Sequence, residues 1–500
     1  MTDAARFFAA DLGASGGRTA IVHLENGRIT LEETHRFGNG PLERDGGLYW
    51  DVEDLLGQIV VGLREAARRA DRLDGIGIDT WGVDYALLDK QGELVELPRH
   101  YRDPRTTGIM ERAFQRVPKA EIYRRTGIQF MALNTIYQLL AEVESGSDLL
   151  NRADRLLFMP DYLRYRLTGE ASSEETIAST SQLYDPAAGQ WAGELMDRLG
   201  IPSRIMPRVN PPGTVIGPLV ESIAAEAGLK QATSVIASAG HDTAAAVAAV
   251  PATYGDSGSP TNWAYISSGT WSLVGLELDR PLRTDATLAD DFTNEVGVCG
   301  KVRFLRNVAG LWLVQECQRN WAEQGQDVSF ADLTDMAAGV EPFRSLIDPD
   351  DPVFGPPGDM PERIGEWCAD TGQPQPVSVG QVVRCILESL ALRYRGVIRR
   401  LEHHAGRPIE VIHMVGGGIR NKLLNQFTAD ACGRPVVAGP VEATTIGNAT
   451  VQAMAAGHVR SLSELRTIVA RSFPLARYEP QDTDAWICAE ERMRTLLAAG

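Results

Sequence analysis

Residues Phe7 to Glu33 read FFAADLGASGGRTAIVHLENGRITLEE, and the element reached after the glycine-rich loop decides the fold. Phe7 to Ala10 is a short apolar run ending in DLGASGGR (Asp11 to Arg18). Thr19 to Leu24 is a second β-type run, Asn26-Gly27 is a hairpin signal, and Arg28 to Leu31 returns as a third strand. The loop therefore joins strand to strand, whereas a P-loop or a dinucleotide-binding loop joins strand to helix. The one Gly-Lys pair, Gly300-Lys301, is followed by Val302, so no P-loop signature is present. Ala14, Ser15, Gly16 and Gly17 can still cradle a phosphate through inward-turned N–H groups and the Ser15 hydroxyl. Asp11, at the strand end, suits Mg²⁺ held through water. Taken alone, the loop reads first as an ordinary glycine turn.

The 500 residues are too many for one core and predict two domains. A hydrophobic content of 44% and a charged content of 23% are ordinary for a globular protein. The net charge of -17 argues against a nucleic-acid or anionic-membrane surface. With no apolar run of membrane-spanning length and no leader-like N-terminus, a cytoplasmic protein is expected. The six cysteines all lie in the second half without C-x-x-C or histidine spacing, which predicts buried thiols rather than zinc.

Val52 to Ala70 carries apolar residues at helical spacing and ends in RRADR. In GIGIDTWGVDYALLD (Gly75 to Asp89), a strand pattern is interrupted by polar TWGVD. Gly82 there lets a backbone approach a sugar and Trp81 offers a flat face to its C–H groups; a bulge at Gly82 is the alternative. RHYRDPRT (Arg99 to Thr106) suits polyhydroxyl contacts or a solvated loop, and residues 110 to 170 read as a helical insert. TSVIAS (Thr233 to Ser238) then leads through AGHDTA (Ala239 to Ala244) into an Ala-rich helix. This predicts strand, turn at Gly240, and a helix capped by Asp242. A carboxylate at that strand end can accept a proton from a substrate hydroxyl, although a capping role alone accounts for it.

After a Gly/Ser/Pro-rich stretch at Val247 to Asn262, AYISSGTWSLVGLEL (Ala264 to Leu278) repeats the opening pattern with Ser267-Ser268-Gly269-Thr270 as its turn. Two domains of one fold, each opening with a strand–loop–strand hairpin, match the logic of actin-like ATPases, with a boundary near residue 250. Arg306 to Trp321 reads as a helix with Asn307 at its entrance and Gln315 further in; cap and surface roles account for them as well. Residues 341 to 376 read as a long Pro/Asp/Gly-rich loop and Val377 to His403 as a long helix. A buried strand (Ile409 to Val415) then meets a triple-glycine turn (Gly416 to Gly418) with room for a flat base, and a helix begins near Asn421. The small-residue helix within Gly439 to Gly457 is expected to pack beneath that turn.

DLGASGGR, GIGIDTWGVDYALLD, YRDPRT, MPDYLRYRLTG, HDTAAAV, SSGTWSLVG, NVAGLWLVQ and VGGGIRNKLLNQFTADACG, in that order, resemble the FGGY carbohydrate kinases. DTWGVDY and HDT resemble most specifically the branch acting on L-rhamnulose. MPDYLRYRLTG lacks the lysine that glycerol-kinase-like relatives carry. The resemblance implies an α/β protein of two actin-like (ribonuclease H-like) domains, residues 1–250 and 251–500, with the active site in the cleft between them. It implies transfer of phosphate from MgATP to a ketose hydroxyl, with Asp242 as general base and Gly82, His241, Thr243 and Asn307 around the sugar. His241 also reads as a plain turn residue. Ala14, Ser15, Gly16, Gly17, Arg18, Thr270, Gln315 and Gly417 are implied to contact ATP. Kinases of fuculose or xylulose, and a sugar sensor without catalysis, are the competing expectations.

Overall fold

The hairpin at the start of the chain forms one side of a six-stranded sheet. Its strands are β1 (Ala5–Gly13), β2 (Gly16–Glu25), β3 (Arg28–Gly38), β4 (Gly75–Thr80), β5 (Thr214–Pro218) and β6 (Ser234–Ala237), in the order β5-β6-β4-β1-β2-β3. The computed structural model describes residues 4–252 and 262–499. Asn26 and Gly27 both have positive φ, 51° and 69°, the conformation that Asn-Gly supplies to a two-residue hairpin. β3 runs on to Gly38 rather than ending at Leu31. Its charged outer face hides the alternation, while inside Thr34 and Thr19 share a 2.7 Å hydrogen bond.

β1 pairs antiparallel with β2 and parallel with β4, and β4 pairs parallel with β6. Helix α1 (Val52–Arg69) starts at Asp51, whose carboxylate accepts from the Asp54 N–H, and ends on Arg68 and Arg69, favourable at a helix C-terminus. Its Leu55, Ile59 and Leu63 join Phe8, Ala10, Leu12, Ile76 and Ile78 in one buried cluster. The strand pattern on either side of TWGVD divides between two sheets, because the chain turns sharply there. β4 stays in the central sheet and Tyr85–Leu88 pairs with Arg155–Phe158. Helix α2 (Asp242–Ala248) comes after β6.

Contacts divide the chain into one unit of Met1–Ala249, Glu277–Phe304 and Ala443–Ser472, and a second of Val250–Leu276, Leu305–Glu442 and Phe473–Gly500. The second contains β7 (Trp263–Ser268), most of β8 (Trp271–Leu278) and of β9 (Val302–Ala309), β10 (Val411–Val415), β11 (Val436–Ala438) and β12 (Ala476–Tyr478), in a seven-stranded sheet ordered β9-β8-β7-β10-β11-β12 after an edge strand at Thr293–Val296. β7 pairs antiparallel with β8 and parallel with β10, as β1 does with β2 and β4. The order β3-β2-β1-β4-β6 thus recurs as β9-β8-β7-β10-β11, and the faint echo between the two halves is one topology used twice. Helices α3 (Trp312–Glu323), α4 (Val379–Ala405) and α5 (Lys422–Cys432) belong to this unit.

Three expectations change. Residues 341–376 are not all loop: Met360–Asp370 is a helix, started by Asp359 and a proline in its first turn, residues that also mark loops. Helix α6 (Ala443–Ala455) does not lie beneath the triple glycine but returns to the first unit, against α2, β1 and β4. Small residues specify a close crossing without naming the partner. A methyl group on Gly447 would overlap the carbonyl oxygen of Ala245. Of the cysteines, Cys317, Cys368, Cys385 and Cys432 are buried thiols, but Cys299 and Cys488 are exposed. In the Gly/Ser/Pro-rich stretch at Val247 to Asn262, residues 253–261 lie outside the described residues. Among the described residues no helix is long and apolar enough to cross a membrane, and no cluster of three or more metal-ligating side chains occurs.

Candidate active site

Two neighbouring strands and the helix after β6 carry three aspartates. Asp11 in β1 and Asp79 in β4 are Cα partners across the parallel pair. Beside them, the Thr80 N–H donates to the Gly240 carbonyl at 2.9 Å and Thr80 bridges His241, which brings Asp242 to the same edge. Asp242 is not the cap of its helix. His241 is, with φ -88° and ψ 121°, and its carbonyl accepts from Ala244 and Ala245 at 2.8 and 3.1 Å. Asp242 is the first helical residue, one place later than expected, so its carboxylate is released from capping. Oδ1 accepts the Thr243 N–H at 2.5 Å and the Thr243 hydroxyl at 3.1 Å, and the side chain is 33% exposed. Burial pushes the Asp242 carboxyl above its usual range and the Asp11 charge adds to this, against His241 and the Thr243 donors.

Gly240 serves closeness rather than the turn. Its φ is not positive, but a Cβ would stand 2.9 Å from Glu174 Oε2, which accepts the Gly240 N–H at 2.8 Å. Glu174 is fully buried, and desolvation raises it to about 7 against hydrogen bonds from Thr176 and Gly240. The neighbouring Thr176 hydroxyl accepts the His241 N–H at 3.2 Å. These residues hold the backbone on which His241 and Asp242 stand.

The first glycine loop is a tight turn at Ala14-Ser15 between paired Gly13 and Gly16, with Ser15 exposed. Asn39 braces it through Gly13 O (2.8 Å) and Ser15 O (3.3 Å). Gly17 leaves space for the Phe37 ring, which a methyl would overlap. Arg18 lies opposite Asp11, and its Nε and Nη2 donate to Asp11 Oδ2 at 3.0 and 2.7 Å. Thr445 of α6 donates to the same oxygen at 2.7 Å.

The TWGVD stretch departs from the sugar-face expectation. Trp81 is buried, its ring 4.0 Å from that of Trp50, so the indole serves the core. Asp84 gathers Trp50 Nε1 (2.6 Å), Trp81 Nε1 (3.0 Å), the Tyr101 N–H (3.1 Å) and Gln138 Nε2 (2.9 Å). Burial raises it to about 6 despite those donors. The positive φ belongs to Val83 (70°), not Gly82, and the Val83 N–H donates to Thr180 Oγ1 at 3.1 Å. In RHYRDPRT, His100 and Asp103 are buried rather than solvated.

In the second unit, the Thr270 hydroxyl donates to Gln315 Oε1 at 3.2 Å. The β7–β8 turn is held against the start of α3 by Leu311 N–H to Gly269 O (2.9 Å) and Trp312 N–H to Thr270 O (3.2 Å). That contact starts the helix at Trp312, so Asn307 lies within strand β9 and not at a helix entrance. The three glycines divide by role. Gly416 has φ 90° and, with Gly418, lies against Ser268, whereas Gly417 is exposed with nothing near its missing Cβ.

Sequence reasoning misses several residues of this neighbourhood: Glu174, Glu295, Arg303, Thr445 and Asn448. The legible signal for Arg303 is a lone charge within an apolar run, VRFL (Val302 to Leu305), whereas Glu295 lies in polar TNEV (Thr293 to Val296). Such a charge announces a buried partner without naming it.

Residues 7–249 match the N-terminal domain, and residues 264–456 the C-terminal domain, of the FGGY family of carbohydrate kinases. The chain belongs to that family, and is an ATP-dependent sugar kinase. It is 48% identical to the rhamnulokinase of Bacteroides thetaiotaomicron over 97% of both chains. It is 39% identical to the rhamnulokinase of Bacillus subtilis over 99% of both. Its fold is similar to that of the xylulose kinase of Lactobacillus acidophilus, with TM-score 0.80 and 17% identity over 99% of both chains.

Proposed function

We propose that the protein transfers the γ-phosphoryl group of ATP to the 1-hydroxyl of L-rhamnulose, giving L-rhamnulose 1-phosphate and ADP, as a step of L-rhamnose catabolism in the cytoplasm. The observation that carries this reading is the 48% identity to a rhamnulokinase over 97% of each chain. Fuculose and xylulose are the nearest competing ketoses.

In this reading Asp242 is the base. Its donors within the protein address Oδ1, which leaves Oδ2 to take the O1 proton as O1 bonds to phosphorus and the bond to the ADP oxygen breaks. Gly82, His241 and Thr243 of residues 1–250, and Asn307 of residues 251–500, would contact the sugar. Ala14 to Arg18, Thr270, Gln315 and Gly417 would contact ATP, the last through its bare, exposed backbone. Asp11 suits Mg²⁺ held through water, because its protein donors address Oδ2 and not Oδ1. Mg²⁺, when bound, supplies positive charge to the phosphate oxygens.

The test is a coupled ADP-release assay with Mg²⁺, ATP and L-rhamnulose, L-fuculose, D-xylulose, L-ribulose or D-fructose, with glycerol as outgroup. A preference for L-rhamnulose of about tenfold or more in kcat/KM, about 1.4 kcal/mol of transition-state discrimination, supports the assignment. Preference for another ketose moves the substrate and keeps the base. Absence of any sugar-dependent turnover favours a sensor.

A further inference from the structure

His241 stands between two charged partners that pull its ring proton in opposite senses. Nε2 faces Asp242 Oδ1 at 3.3 Å. On the other edge, Nδ1 lies 2.9 Å from Arg303 Nη2 and 3.4 Å from Glu295 Oε2, and Arg303 and Glu295 approach each other at 3.0 Å. Arg303 is wholly buried and Glu295 nearly so, in the segment that joins the first unit after residue 277.

We infer that Arg303 and Glu295 are positioning residues that hold His241 as the neutral Nε2–H tautomer and, through it, orient the catalytic carboxylate of Asp242. Guanidinium has five donors and no acceptor, so at 2.9 Å it requires a lone pair on Nδ1. The remaining proton then sits on Nε2, where it faces the Asp242 carboxylate attractively. The opposite tautomer would set N–H against N–H at Arg303, and lone pair against carboxylate at Asp242. Glu295 favours that opposite tautomer, but from the longer distance, and its charge is already engaged by Arg303. Glu295 thereby allows a guanidinium to be buried beside the imidazole. With His241 on Oδ1 together with the two Thr243 donors, the plane of the carboxylate is set and Oδ2 is left for the substrate proton. This rests on Asp242 as the base of the proposed kinase reaction.

The experiment uses the full chain labelled with ¹⁵N-histidine, and a long-range ¹H–¹⁵N correlation assigned by loss of the His241 signals in His241→Asn. Native protein is expected to show an unprotonated Nδ1 and a protonated Nε2. The double variant Arg303→Met, Glu295→Gln removes both buried charges together, so that neither is left unpaired. It is expected to shift the proton toward Nδ1 and to lower kcat about 10- to 100-fold, at most the lower end of the about 10²–10⁴ a general base supplies, with the KM for ATP unchanged. Arg303→Lys, which keeps a donor at Nδ1, is expected to recover the native tautomer and most of kcat. A protonated Nδ1 in the native protein overturns the inference, as does a folded double variant with native kcat. If the double variant does not fold, the native tautomer and Arg303→Lys still decide. Asp242→Asn with undiminished turnover defeats the base assignment instead, and the tautomer readout, which needs no turnover, stays independent of it.

Discussion

Asp11 and Asp79 are neighbours across two parallel strands, yet only one of these paired carboxylates receives a guanidinium. Asp11 receives the Arg18 guanidinium and the Thr445 hydroxyl. Asp79 is fully buried, receives the Asn448 amide on Oδ2 at 2.5 Å, and has no partner for Oδ1 among the described residues. Burial first, and then the Asp11 charge, push its carboxyl well above the usual range.

Asp79→Asn should therefore change how stability depends on pH. The folded protein keeps a proton at Asp79 that the unfolded chain releases above about pH 3.9. The contribution of this group is thus fully present at acid pH and declines as pH rises toward the folded-state value. Asparagine removes the decline, so in urea unfolding the variant gains on the parent as pH is raised from about 4 to about 8. Parallel pH profiles for the two proteins would show that Asp79 is ionised when folded.

Asp242→Asn is expected to lower kcat by about 10² to 10⁴, the usual worth of a general base. The affinity for ATP, measured by calorimetry, should hold, because the residues proposed for ATP are untouched. Near-native turnover in a folded variant would remove Asp242 from the mechanism.

The acid limb of kcat/KM depends on the same residue. Only ionised Asp242 accepts a proton, and burial raises its pKa above the ordinary aspartate value. Activity should therefore fall with acidification at a pH above about 3.9. A limb at or below that value, with L-rhamnulose as substrate, contradicts the electrostatics described for the site.

The parts of the fold legible in the sequence obey local rules. The opening hairpin depends on Asn26-Gly27 and on apolar runs of strand length, and α1 on a cap and a periodic face. Their partners lie nearby in the chain, so pattern alone reveals them. Sequence places Asp242 one residue early because any short polar residue at a strand–helix junction reads as a cap. Trp81 reads as open because its stacking partner, Trp50, lies in a different segment. The family resemblance carries the roles proposed for Gly417, Gln315 and Thr270, which spacing alone leaves ordinary. The setting of His241 is out of reach, since Glu295 and Arg303 approach it only after the chain has left the first unit and come back.

Two glycines in helix interiors should respond oppositely to alanine. Gly447→Ala drives a methyl into the backbone oxygen of Ala245, which cannot turn aside as a side chain can. A loss of about 1–3 kcal/mol or more is expected. Gly57 in α1 is exposed with nothing near its missing Cβ, and Gly57→Ala should add about 0.5–1 kcal/mol. Chemical denaturation of both measures the contrast, and equal effects would mean that α2 and α6 are not in close contact.

The triple glycine should separate stability from nucleotide binding. Gly418→Ala meets the Ser268 side chain and should lower the melting temperature. Gly417→Ala meets nothing, so stability should stay within about 0.5 kcal/mol. The KM for ATP should nevertheless rise about tenfold, about 1.4 kcal/mol, if the adenosine lies on this backbone. An unchanged KM places the base elsewhere.

The return of α6 to the first unit has a consequence for biosynthesis. Asp11 is translated well before its donor Thr445, and Asp79 well before its partner Asn448, both of which lie hundreds of positions later, as does Gln452, whose amide reaches Phe8 O at 3.0 Å. The opening sheet must wait, short of these three later partners, while the intervening chain is translated. A nascent chain stopped near residue 250 holds every sequence signal of an independent domain and lacks the helix that closes it. Acquisition of a native first unit is therefore a late event in synthesis, and pulse-labelled chains should gain protease resistance there only once residues beyond 450 have emerged.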